Sequence, residues 1–195
     1  GMKTVMFEKK AYPRDKPCGG ALSTRCLEII GEHAKKSINS LVKTMKLYAP
    51  SLRSFTEERE SGYFVLRTEF DAAMAKDVEN AGAKVLTEAL VRSIEKLENG
   101  HYKITSTRET IVAKYVVLAT GVQNNRLIKQ LKIRKRWPKG YLAMTVVSET
   151  PVDNEKLKDY EFYGPTLGIF LGIVPRGYGW YFLKDGYINI GIGAT

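Results

Sequence analysis

The spacing of apolar and polar positions changes period several times along this chain, and each change marks an element. Phe70, Met74, Ala75 and Val78 recur every three or four residues and stop before Gly82, which predicts an amphipathic helix over 70–81. Upstream of it, 3–7, 45–49, 52–57 and 63–66 read as strands. Short helices are predicted at 23–30, closed by Gly31, and at 35–43. Downstream, 84–87, 90–97, 102–107 and 110–113 read as strands, with Asn99-Gly100 as a hairpin turn. The run Tyr115 to Ala119 is apolar at every position, the mark of a central strand covered on both faces, and a helix over 124–131 follows it. From Tyr141 onward short strands dominate, at 141–148, 160–163, 169–174, 179–182 and 187–193. They predict a mostly antiparallel sheet, interrupted by a polar turn around 151–158.

Composition narrows the class. The chain has 195 residues, 44% hydrophobic and 27% charged, which is enough to bury a real core. Its longest apolar run, 167–175, falls well short of the roughly 20 residues that a membrane helix needs, and no secretory signal is evident. Cys18 and Cys26 have no Cys-x-x-Cys spacing, so a reducing cytoplasm is expected, with no disulfide between them. A net charge of +10 favours an anionic partner. The densest basic run, Lys129 to Lys139, is read as a solvated loop before it is read as a site. Trp137 is its one aromatic, which argues against a specific nucleic-acid surface.

One stretch stands out chemically. Pro13 and Pro17 stiffen the approach to Cys18, Gly19 and Gly20 then remove side chains beside the thiol, and Ser23 or Thr24 opens the following helix. A bare backbone there suits close approach by a flat ligand, although Pro and Gly clusters are mostly surface turns. Tyr178, Trp180 and Phe182 alternate, so they share one face of a strand. That face either packs on its own core or forms an apolar wall for a hydrocarbon. His33 and His101 make neither a metal cluster nor a triad and receive no role.

Asp15-Lys16-Pro17-Cys18-Gly19-Gly20-Ala21-Leu22-Ser23 resembles the Lys-Pro-Cys-Gly-Gly-Gly-Leu-Ser signature of the geranylgeranyl reductase family, FAD-dependent oxidoreductases that saturate prenyl chains. Three further stretches agree in order: Arg67-Thr-Glu-Phe70-Asp71, Val117-Leu-Ala-Thr120-Gly121, and Tyr178-Gly-Trp180-Tyr-Phe182-Leu-Lys184 ending at Gly191-Ile-Gly193. The resemblance implies an α/β (α+β) fold. Residues 2–44 and 68–140 would form a partial Rossmann-like FAD-binding domain of the p-hydroxybenzoate hydroxylase-like type. Residues 45–67 and 141–195 would form an antiparallel substrate-binding sheet. It implies Cys18 at the reaction, as proton donor or as a positioning group against the flavin. Glu8, Arg14, Gly19, Gly20, Arg67, Thr120 and Gly121 would contact FAD, while Tyr178, Trp180 and Phe182 would line the prenyl chain.

The sequence departs from the family at Leu183, where proline is usual, at Ala21, where a third glycine is usual, and at Thr120, where aspartate often stands. The Gly-x-Gly-x-x-Gly loop expected before Glu8 and the Gly-Asp-Ala motif expected beyond Thr195 are both outside the sequence. The expectation is therefore that this polypeptide alone holds FAD weakly or not at all. A prenyl lipid substrate, an anionic membrane surface touched peripherally, and a homodimer or complementing subunit are the partners implied. Two alternatives stay open: a non-catalytic remnant that binds lipid or a partner, and a flavin monooxygenase-like protein.

Overall fold

The computed structural model describes residues 1–122, 125–135, 137–138, 140–157 and 164–195, and its chain divides into two compact units. One comprises Gly1–Tyr12 with Val78–Lys139, the other Pro13–Asp77 with Gly140–Thr195. Residues 13–44, grouped by sequence with the FAD-binding half, therefore lie in the same unit as 140–195.

The first unit contains β1 (Val5–Phe7), paired in parallel with β5 (Lys84–Leu86), and a three-stranded antiparallel meander. The meander is β6 (Val91–Lys96), β7 (Tyr102–Ser106) and β8 (Thr110–Ala113), with helix α3 (Asn125–Gln130) against it. Asn99-Gly100 makes the expected hairpin: Gly100 sits at φ +82°, and the Leu97 amide donates to the His101 carbonyl at 2.8 Å. Ile94, Ile104 and Leu127 form the core of this unit.

Residues 115–119 are not a strand. Val116 and Leu118 pack on that core, whereas Tyr115 is 68% exposed and Val117 89%. Among the described residues the run has one covered face and no ladder partner, so its continuous apolarity meets only half of the burial that a central strand receives.

The second unit is built on a seven-stranded sheet in the order β2, β4, β3, β10, β11, β12, β9. These are β2 (Ala21–Leu22), β3 (Ile38–Tyr48), β4 (Ser54–Val65), β9 (Met144–Pro151), β10 (Thr166–Leu171), β11 (Gly177–Lys184) and β12 (Tyr187–Ala194). All neighbours are antiparallel except β3 and β10. The predicted strands at 45–49, 52–57 and 63–66 are thus parts of one long hairpin. The helix predicted over 35–43 is shorter, with α1 spanning Glu32–Lys36. Val42 and Phe64, almost fully buried, gain more in the β3–β4 ladder than a helical turn would give them. Thr24–Glu28 is a 3-10 helix, and Ser23 makes no side-chain cap. Helix α2 (Arg67–Asn80) forms as expected, but Met74 is 40% exposed, and Phe70, Asp71 and Ala75 make the buried stripe. The strand expected over 160–163 lies outside the described residues.

Candidate functional site

Period-two geometry places the site on one face of the second sheet. Trp180 stands opposite Gly191 and Phe182 opposite Asn189. Gly191 and Asn189 in turn stand opposite Val147 and Glu149, so all of these side chains share a face. Trp180 and Phe182 are buried with Val42 and Phe64, and Phe182 stacks on Phe64 with centroids 5.4 Å apart. Tyr178, 5.8 Å from Trp180 and 48% exposed, ends the aromatic row toward solvent. Gly191 makes room for the indole, since a Cβ there would sit 2.0 Å from the Trp180 ring.

The Cys18–Gly20 turn lies against this face, and the protein itself fills the space that its glycines leave. A Cβ on Gly19 would be 2.4 Å from the Phe182 ring. One on Gly20 would be 2.3 Å from the Val65 carbonyl oxygen and 2.9 Å from Lys184 Nζ. Gly20 also holds φ at +72°, where only glycine is unstrained. Its amide donates to Cys18 Sγ at 3.4 Å. Both cysteines are free thiols.

Asn189 fastens the turn to the aromatic row. Its Oδ1 accepts from Trp180 Nε1 at 2.9 Å, and its Nδ2 donates to the Cys18 carbonyl at 3.1 Å and to Glu149 Oε1 at 3.2 Å. Lys184, 1% exposed, donates to Glu149 at 2.5 Å and to the Val65 carbonyl at 2.8 Å. Burial holds the Lys184 ammonium below the ordinary lysine range, although the hydrogen bond and charge of Glu149 oppose the shift. Asp15, Lys16, Pro17, Cys18, Val147, Glu149 and Asn189 line a cavity of about 190 Å³ beside the thiol.

A second cluster stands at the start of α2. Arg67 grips Asp71 through Nε at 2.7 Å and Nη2 at 2.9 Å, one helical turn apart, and Arg14 Nη1 reaches the same carboxylate at 2.7 Å. Burial alone would raise the Asp71 carboxyl, but the two guanidinium groups hold it below the usual range. Hydrogen bonding to Asp71 raises Arg67 against the opposing effect of burial. Two cations on one carboxylate leave a net positive charge on this cluster.

The first unit carries the remaining predicted residues. Glu8 follows β1, and its carboxylate accepts from the Lys10 amide at 3.0 Å. Thr120 and Gly121 are exposed, and Gly121 sits at φ +75° with nothing within 4 Å of its missing Cβ. Of the three glycines expected to contact FAD, Gly19 and Gly20 have their Cβ space filled and Gly121 has nothing within 4 Å of it.

Residues 59–194 match the family model described as FAD dependent oxidoreductase. The chain belongs to the FAD-dependent oxidoreductase family. A digeranylgeranylglycerophospholipid reductase of Methanothrix thermoacetophila is 30% identical over 214 residues, covering 100% of this chain and 51% of that protein. One from Methanococcus vannielii is 29% identical over 202 residues, covering 99% and 49%. Among solved structures, a geranylgeranyl bacteriochlorophyll reductase-like protein of Thermoplasma acidophilum superposes with a TM-score of 0.75 at 25% identity, over 98% of this chain and 50% of its own. The chain spans about half the length of these curated relatives. The mixed α/β class expected from sequence and the likeness to geranylgeranyl reductases both hold.

FAD is the cofactor of this family, and the residues present fit it. Taken by itself, the first unit offers a left-handed glycine and a strand-end carboxylate, and the second a cluster of net positive charge, each chemically suited to one part of a dinucleotide. Among the described residues no helix is long and apolar enough to cross a membrane.

Sequence reasoning missed Asp71, Glu149, Lys184 and Asn189 as members of the site. Two of them had a signal. Asp71 stands four residues after Arg67 on a helix, and Lys184 shares strand parity with Trp180 and Phe182, which puts a charge on an inward face.

Proposed function

We propose that this chain forms part of an FAD-dependent reductase of prenyl lipid C=C bonds. The observation that carries the reading is the Asn189 bridge. It ties the thiol-bearing turn to the aromatic strand within one unit, beside a cavity of about 190 Å³. By role, residues 2–44 and 68–140 serve FAD, and 45–67 and 141–195 serve the substrate. This division does not follow the two compact units, because the turn at 18–20 packs on the sheet.

FAD, when bound and reduced, supplies a hydride for one carbon of the alkene, and a proton completes the other. Glu8, Thr120 and Gly121 would hold the dinucleotide end, and Arg14, Arg67, Gly19 and Gly20 the part nearer the thiol. Cys18 would face the reacting centre, where it donates the proton or fixes the approach. Tyr178, at the exposed end of the row, would meet the hydrocarbon first. Trp180 and Phe182 stiffen the wall behind it, and each methylene taken out of water contributes about 0.8 kcal/mol. A membrane lipid substrate and a net charge of +10 favour peripheral contact with an anionic bilayer in the cytoplasm.

The test is anaerobic incubation of the protein with FAD, dithionite and a digeranylgeranyl lipid, followed by mass spectrometry. A gain of two hydrogens per double bond is expected, lost in Cys18→Ala. Stoichiometric flavin with NADPH-driven oxygen consumption and no mass gain would instead favour a monooxygenase. Failure to bind FAD even with the expected Gly-x-Gly-x-x-Gly and Gly-Asp-Ala segments supplied in trans would favour a lipid-binding remnant.

A further inference from the structure

A circuit of hydrogen bonds leaves the Cys18–Gly20 turn at one end and returns to it at the other. Asn189 Nδ2 donates to the Cys18 carbonyl at 3.1 Å and to Glu149 Oε1 at 3.2 Å. Lys184 Nζ donates to that same Oε1 at 2.5 Å and to the Val65 carbonyl at 2.8 Å. The Val65 amide closes the circuit by donating to the Gly20 carbonyl at 2.8 Å. Asn189 is 0% exposed and Lys184 1%, and an ammonium at that depth is costly unless it is paired. Apolar residues of similar volume commonly replace such a pair without loss of stability, so packing alone does not account for it. What distinguishes the circuit is its targets: every backbone atom that it grips belongs to the turn or to Val65, the residue paired with it.

We propose that Asn189, Glu149 and Lys184 are positioning residues that hold the Cys18 thiol in place at the rim of its cavity. The turn cannot swing outward unless Asn189 releases the Cys18 carbonyl. On its inner side the turn faces Lys184 Nζ, 2.9 Å from where a Gly20 Cβ would be, and is bonded to Val65 through the Gly20 carbonyl. Sγ is then aimed locally by the Gly20 amide at 3.4 Å. The catalytic meaning of that position rests on the flavin reading above, whereas the positioning itself does not.

The test is the rate of iodoacetamide alkylation at Cys18 in the purified full chain, read by peptide mass spectrometry, with Cys26 as internal control. Asn189→Ala and Glu149→Gln are each expected to speed Cys18 alkylation about fivefold or more, the scale of one net hydrogen bond, while the Cys26 rate stays put. Lys184→Arg, which keeps a cationic donor, should remain nearer wild type than Lys184→Met. A Cys18 rate within about twofold of wild type in folded Asn189→Ala and Glu149→Gln overturns the proposal. So does loss of the fold in both variants, which would make the circuit a support of the sheet rather than of the turn. A chain that takes up no FAD yet shows the expected alkylation pattern removes the flavin reading and leaves this inference standing.

Discussion

Asn189 accepts the indole N–H of Trp180 at 2.9 Å inside the sheet, with no part of the asparagine side chain exposed to water. A buried amide satisfied on both its oxygen and its nitrogen is expensive to remove, because each former partner is left facing a cavity. Trp180→Phe keeps the ring packing but strands Asn189 Oδ1, and is expected to cost about 1–3 kcal/mol. Asn189→Ala strands the indole N–H and the Cys18 carbonyl together and should cost more than Trp180→Phe. Urea midpoints at unchanged m would record both, and a smaller loss for Asn189→Ala would contradict the bridge.

Lys184 gives a pH signature of definite sign. Its folded-state value lies below the ordinary 10.5, chiefly through burial, so the unfolded chain binds more protons in the window just under 10.5. Its contribution to stability therefore rises as pH climbs through that window. Wild type should gain stability relative to Lys184→Met between neutral and alkaline pH, measured as the difference between their unfolding free energies. At neutral pH Lys184→Met removes the Lys184 bond to the Val65 carbonyl and leaves the Glu149 carboxylate with Asn189 in place of the ammonium, a loss of about 1–3 kcal/mol given that Glu149 is 28% exposed.

Local periodicity made most of this fold legible. The Phe70 and Ala75 stripe, the Asn99-Gly100 hairpin and the strands from Ile169 onward follow from spacing and turn chemistry alone. What escaped depends on distant chain. Ile38, Leu41 and Val42 carry helical spacing, yet they pair with Val65, Tyr63 and Gly62, 20 or more positions later. Tyr115 to Ala119 looks central because it is apolar throughout, but only Val116 and Leu118 are covered. In the site, the sequence led to Cys18 and Trp180 separately. The link between them runs through Asn189, whose register comes from β12 pairing with β11.

Asp71 should dominate the acid limb near the turn. Its folded value lies below the ordinary 3.8, because the pull of Arg67 and Arg14 outweighs the opposing burial. The stability that it contributes is present above 3.8 and is lost as pH falls through the folded value. Asp71→Asn should flatten the stability profile in that acidic window. At neutral pH it should cost about 1–3 kcal/mol, discounted for partial solvent access. Urea unfolding between neutral and strongly acidic pH checks both, and an unchanged acid limb would remove Asp71 from the account.

Two glycines that look alike in the sequence should behave differently. Gly19 has no room for a Cβ, because the Phe182 ring occupies it, so Gly19→Ala must displace that ring, an overpacking cost of about 1–3 kcal/mol. Gly121 has nothing within 4 Å, and alanine there meets only the strain of φ +75°, roughly 1–2 kcal/mol. If Gly121 keeps its space open for the dinucleotide, Gly121→Ala should weaken FAD binding about tenfold in an equilibrium titration. Gly19→Ala should act mainly on thermal stability and on the near-ultraviolet signal of Phe182 and its neighbour Trp180. Unchanged FAD affinity in folded Gly121→Ala would move the cofactor contact away from Thr120 and Gly121.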